Sequence, residues 1–151
     1  MHNCIPVTHD IFWIGGNDRR LALFESVYPI PRGGSYNAYL VTGERTVLLD
    51  TVDHAVSEVF FENLAHLLAE RPLDFVVVNH MEPDHAATLA ELVRLHPETT
   101  VVCNAKTLAM IGQFFGTDFA AALSRREDLT VRMAAVLLLD SGASKATQDK
   151  Y

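Results

Sequence analysis

The sequence predicts an α/β fold in which a mixed sheet carries packed helices. Two patterns point there. Short apolar runs broken by turn residues fill the first third of the chain, as hairpins require, and from residue 54 onward helical periodicity alternates with strand-like runs. The third observation is size, since 151 residues that are 49% hydrophobic and 21% charged suit a single globular domain.

Each element has its own signal. Residues 11–14 (IFWI) run into Gly15-Gly16-Asn17-Asp18, and residues 21–28 follow as a second strand, so a first β-hairpin is expected there. Pro29 and Pro31 interrupt. Residues 35–41 and 46–50, joined across Thr42-Gly43-Glu44-Arg45, form a second hairpin. Between residues 54 and 70, Val56, Val59, Phe60, Leu64, Leu67 and Leu68 recur at offsets 0, 3, 4, 8, 11 and 12, an amphipathic helix that Pro72 ends. Residues 75–78 (FVVV) are a continuous apolar run suited to a strand buried on both faces. A polar loop then leads into a helix over residues 86–95, with Leu89, Leu92 and Val93 on one face and His96-Pro97 as its stop. Residues 99–103 read as a strand. Residues 105–115 read as a helix with Leu108, Ile111 and Phe115 inward and Gly116 as its C-terminal stop.

Charge narrows the function classes. Twelve Lys and Arg against nineteen Asp and Glu give a net charge of -7, which gives no general attraction to nucleic acid or anionic lipid. No apolar run approaches the ~18 residues of a spanning helix, so neither nucleic acid nor membrane is expected as a partner. The opening MHNCIPVTHD lacks the basic start and apolar core of a secretory signal, and Cys4 and Cys103 sit in no paired motif. A cytoplasmic setting follows. Residues 1–117 hold seven basic and fourteen acidic residues, and residues 118–151 hold five of each; all seven histidines lie in the first part. The last stretch is alanine-rich and closes on SGASKATQDKY, a polar run typical of a frayed end.

The chemistry concentrates in one loop. His80-Met81-Glu82-Pro83-Asp84-His85 places two imidazoles and two carboxylates within six residues, at the carboxyl end of the expected buried strand. In open α/β sheets ligands bind beyond the carboxyl ends of strands. Pro83 fixes its own φ and biases Glu82 toward an extended conformation, which stiffens the loop. Imidazole with carboxylate and no thiolate suits iron, manganese or zinc, and two carboxylates in one loop suit a binuclear site. The plainer alternative is a solvated loop with Asp84 as a helix N-cap.

The stretch H-M-E-P-D-H-A resembles the H-x-E-x-D-H signature of flavodiiron proteins, a branch of the metallo-β-lactamase-like fold. Asp18-Arg19, Leu23-Phe24-Glu25, the run from Gly34 to Leu40, the run from Leu48 to Asp53 and Val77-Val78-Asn79-His80 are similar to the N-terminal half of that family. The resemblance covers residues 5–119. It implies a metallo-β-lactamase-like αββα sandwich, of which this chain holds the N-terminal half. Residues 1–119 would form a partial diiron domain, and residues 120–151 a divergent alanine-rich tail. Hydrolases of the same fold carry H-x-H-x-D-H; Glu82 stands where they have a histidine, a replacement associated with non-haem iron.

By position, the resemblance implies His80 and Glu82 as ligands to one iron and Asp84 to the other; His85 is a ligand in only some members. Asp50, ending the strand at residues 46–50, would orient an imidazole from behind, or else serve as a turn or capping residue. Asp53 is expected to cap the helix that starts near His54. His54, His66 and His96 read as structural, and Tyr36 is the aromatic residue expected nearest a substrate pocket. Intact relatives complete the centre with a later His, a bridging Asp and a final His. They also carry an FMN-binding flavodoxin-like domain, and an electron-donor redox protein reduces them. This chain has no histidine after His96 and no FMN site is expected in it; Asp140 reads as a strand-end residue, and residues 141–147 as flexible rather than as a phosphate-binding loop. The implied function is part of an oxidoreductase that reduces O2 to water or NO to N2O. A metal-dependent hydrolase and a catalytically silent fragment are the alternatives. Half of a layered fold would leave apolar faces uncovered, so a homo-oligomer is expected.

Overall fold

The computed structural model describes residues 2–24 and 26–123. Ten short strands and five α-helices lie among them: β1 (Ile5–Pro6), β2 (Ile11–Trp13), β3 (Gly16–Asp18), β4 (Leu23–Phe24), β5 (Tyr28–Pro29), β6 (Gly34–Tyr36), β7 (Tyr39–Thr42), β8 (Thr46–Leu49), β9 (Phe75–Val77) and β10 (Thr100–Val102); α1 (Ser57–Leu68), α2 (Pro83–Ala86), α3 (Leu89–Leu95), α4 (Ala105–Phe115) and α5 (Thr117–Leu123).

Six strands form one mixed sheet in the order β1-β2-β7-β8-β9-β10. Pairings from β1 to β8 are antiparallel, and β8-β9 and β9-β10 are parallel. The β7-β8 hairpin is the one expected, with Thr42 opposite Thr46. The first expected hairpin is not. Residues 11–13 pair with Tyr39–Val41 instead of with residues 21–28, which fold back on themselves as the small β4-β5 ribbon. An apolar run marks a strand without naming its partner, and the turn after Trp13 leads into β3, which pairs with β6. Gly15 permits that path, because a Cβ there would lie 1.9 Å from the Tyr36 carbonyl oxygen.

Parallel neighbours need a crossover, and α1 supplies it between β8 and β9. Asp53 caps the 3-10 turn leading into α1, its carboxylate accepting from the Ala55 N–H at 2.8 Å. Ala69, at φ 52°, ends α1 before Pro72 is reached. The helix expected over residues 86–95 is two pieces, α2 and α3, because Pro83 starts a helical turn three residues early and the chain shifts at Ala87-Thr88. Asn104 caps α4 by accepting from the Thr107 N–H, and Gly116 at φ 95° stops it.

Strand alternation sorts the core. Leu40, Leu48, Val76 and Val101 face Phe60, Leu64, Leu89, Leu92 and Ile111 of the helices, whereas Ile11, Val41, Val47, Val77 and Val102 cluster on the other face. α5 runs across residues 119 and 120, where the sequence expectation divides the chain. Asp140 and residues 141–147 lie outside the described residues. No described helix is long and apolar enough to cross a membrane.

Candidate metal centre

Adjacent parallel strands leave the sheet in the same direction, so the carboxyl ends of β8 and β9 bring Asp50 and the loop from Asn79 to His85 together. Asp50 is buried and sits at φ 59°, a left-handed conformation that Asp tolerates better than most residues. Its carboxylate accepts from the backbone N–H of Asn79 at 2.9 Å and from the Asn79 side-chain amide at 3.0 Å. It also meets Nδ1 of His85 at 3.1 Å. With its proton on Nδ1, the imidazole donates to this carboxylate and turns its Nε2 lone pair toward a cation position.

The loop is anchored from outside itself. The His85 carbonyl accepts from the Thr51 N–H at 2.8 Å and from the Thr51 hydroxyl at 3.0 Å. Thr88, fully buried, donates to the Val52 carbonyl at 3.0 Å and accepts from the Val52 N–H at 3.3 Å. Glu82, at φ -65° and ψ 141°, holds the N-cap position of α2 with Pro83 as the first helical residue. Asp84 lies inside that first turn, so it is not the N-cap that the plainer alternative required.

Two donor pairs result. His80 Nε2 lies 3.2 Å from Glu82 Oε2, and His85 Nε2 lies 3.3 Å from Asp84 Oδ2. Ligand atoms ~2.1 Å from one cation and ~90–110° apart are separated by ~3.0–3.4 Å, so each pair has the spacing of neighbours in a coordination shell. The two imidazole rings are 4.1 Å apart, and one ligand atom from each of Asp50, His80 and His85 falls within 4.8 Å of the others. Two imidazoles and two carboxylates without thiolate fit first-row cations, iron included. Each pair supplies two of the four or more donors such an ion takes, and the others must come from outside these residues.

Tyr36 projects from β6 toward this loop. Burial first, then the carboxylates of Asp53, Asp18 and Asp84, push its phenol above the usual tyrosine range. The other histidines stand apart from the centre. His66 stacks on His2 at 3.9 Å, His54 lies in the 3-10 turn, and His96 ends α3, where burial holds its imidazole below the usual histidine range. Asn79, Thr51 and Thr88 are the functional residues that sequence reading missed. Their only signal is adjacency to Asp50 and His80 or to the loop end.

Over residues 31–148, the stretch that includes β7 to β10 of the sheet and the donor loop, the chain matches the metallo-beta-lactamase superfamily. It belongs to that superfamily. Within it the relatives are flavodiiron proteins, as the motif implied. The anaerobic nitric oxide reductase flavorubredoxin of Klebsiella pneumoniae is 41% identical over 108 residues, 71% of this chain and 22% of that protein. The rubredoxin oxygen:oxidoreductase of Desulfovibrio gigas superposes with a TM-score of 0.70 at 25% identity, covering 75% of this chain and 28% of that one. The flavodiiron protein of Giardia intestinalis shares the fold, with a TM-score of 0.72 at 24% identity over 79% of this chain and 29% of its own. The chain thus spans about a quarter of the length of the curated relatives it matches.

Proposed function

We propose that this chain carries the strand-end ligand loop of a non-haem diiron oxidoreductase acting on a small oxidant such as O2 or NO. The observation that supports it most is the side-by-side arrangement of two imidazole-carboxylate pairs on one six-residue loop. In this reading His80 Nε2 and Glu82 Oε2 hold one cation, and Asp84 Oδ2 and His85 Nε2 hold the second. Iron bound there would supply a reducible centre that accepts electrons and passes them to the oxidant.

The chain's own residues prepare that centre. Asp50 keeps the His85 proton on Nδ1 and fixes the ring, so Nε2 stays a donor. Glu82 in place of a third imidazole makes the site harder and more anionic, which favours iron over zinc. The Glu82 side chain is exposed, which leaves that side open to incoming ligands. FMN and an electron-donor redox protein would act from outside these residues.

Anaerobic competition between Fe(II) and Zn(II), followed by metal analysis, tests this. The chain is expected to take iron, and Glu82→His to shift the preference toward zinc. One equivalent of zinc with no iron preference in the unmodified chain would overturn the diiron reading.

A further inference from the structure

A cavity of about 240 Å3 lies between the β4-β5 ribbon and the donor loop. Leu21, Leu23 and Phe24 form its apolar wall, and Tyr36, Asp53, Glu82 and Asp84 supply its polar groups. It is smaller than the ~300–1,000 Å3 of sites for drug-sized ligands, so it suits a small ligand. Its polar lining is one-sided. The acidic groups are carboxylates, which accept only, and the rest of the wall is hydrocarbon. Among the described residues lining it, Tyr36 alone has a side chain that donates a hydrogen bond, and its hydroxyl has no hydrogen-bond partner there.

We propose that the Tyr36 hydroxyl donates a hydrogen bond to a small anionic or dipolar ligand held in this cavity against a cation of the donor loop. Tyr36 is then a determinant of ligand affinity. This rests on the metal-centre reading above. An anion entering the cavity meets Asp53, Glu82 and Asp84; Glu82 and Asp84 each already face an imidazole, at 3.2 Å and 3.3 Å, and Asp53 is held by the Ala55 N–H at 2.8 Å. The phenol is the lining group that can offset their repulsion.

The test is azide binding to the cobalt(II)-loaded full chain, read from the visible ligand-field bands, with cobalt affinity measured separately. Tyr36→Phe keeps the ring and removes the donor. It is expected to leave cobalt affinity within about twofold and to raise the azide Kd about tenfold, as loss of one hydrogen bond to a charged ligand predicts. Leu23→Trp, which fills the apolar wall, is expected to weaken azide with cobalt affinity again unchanged. Normal cobalt binding with unchanged azide affinity in Tyr36→Phe overturns the role of Tyr36 alone. Joint loss of cobalt and azide in Tyr36→Phe marks Tyr36 as structural and overturns it too. If the unmodified chain binds no cobalt, this inference and the metal-centre reading fall together.

Discussion

Asp50→Asn separates the charge at the back of the site from its backbone geometry. Asparagine is at ease at φ 59°, so the left-handed turn survives the substitution, which alanine would not ensure. The carboxylate accepts three hydrogen bonds in a buried position, from Asn79 twice and from His85. The substituted side chain retains one neutral bond, its amide oxygen accepting from the Asn79 N–H. Its amide hydrogens then confront the Asn79 amide and His85 Nδ1, so one bond is lost and the other reverses. Losing one charge-assisted bond of ~1.5–3 kcal/mol, while the other two weaken to neutral bonds of ~0.5–1.5 kcal/mol, predicts a loss of ~2–5 kcal/mol. A reversed bond also moves the imidazole proton to Nε2, the atom that would hold a cation, and metal affinity should fall ~10–100-fold. Urea unfolding of the metal-free protein measures the first effect, and cobalt titration measures the second. A variant within ~0.5 kcal/mol of the parent, with undiminished cobalt affinity, would refute the network argument.

Two other predictions concern the scaffold. Gly15→Ala places a Cβ 1.9 Å from the Tyr36 carbonyl oxygen, which is backbone and cannot swing aside, so a loss of ~3 kcal/mol or more is expected; an unchanged thermal midpoint would contradict the packing described. Burial holds the His96 imidazole below its ordinary range, so the folded chain favours the neutral ring while the unfolded chain takes up a proton near pH ~6.5. Stability therefore falls as pH drops below that value, until the folded ring is protonated as well. His96→Gln should lose less stability than the parent between pH ~7.5 and ~5.5, as read from urea midpoints, and parallel losses in the two proteins would count against the assignment.

Local pattern made much of this protein legible. The β7-β8 hairpin, the crossover helix, β9, β10 and α4 each announce themselves through period and punctuation, because their signals lie within the element. Pairing between distant segments does not. β2 reads as a strand, yet nothing within residues 11–13 says that residues 39–41 are its neighbours. The donor loop was legible because its residues are consecutive and chemically unusual. Asp50 was legible only as one of two roles, since a strand-end Asp looks the same whether it caps a turn or holds an imidazole. Pro83 explains the misread alternative at Asp84: a proline at the first helical position puts Glu82 at the cap and carries Asp84 into the helix. Asn79, Thr51 and Thr88 act through single hydrogen bonds, which leave no periodic trace.

The spacing of the donors also bears on folding. His80, Glu82, Asp84 and His85 are neighbours along the chain, so the unfolded polypeptide keeps them within reach of one another and can chelate a cation. Asp50, 35 residues from His85, joins them only once the crossover through α1 has closed. A metal that binds both states stabilises the native one only by the difference in affinity. In the metal-centre reading that difference draws on long-range contacts such as Asp50 with His85, so a carboxylate that orients the imidazole would help set how far metal binding favours the folded chain.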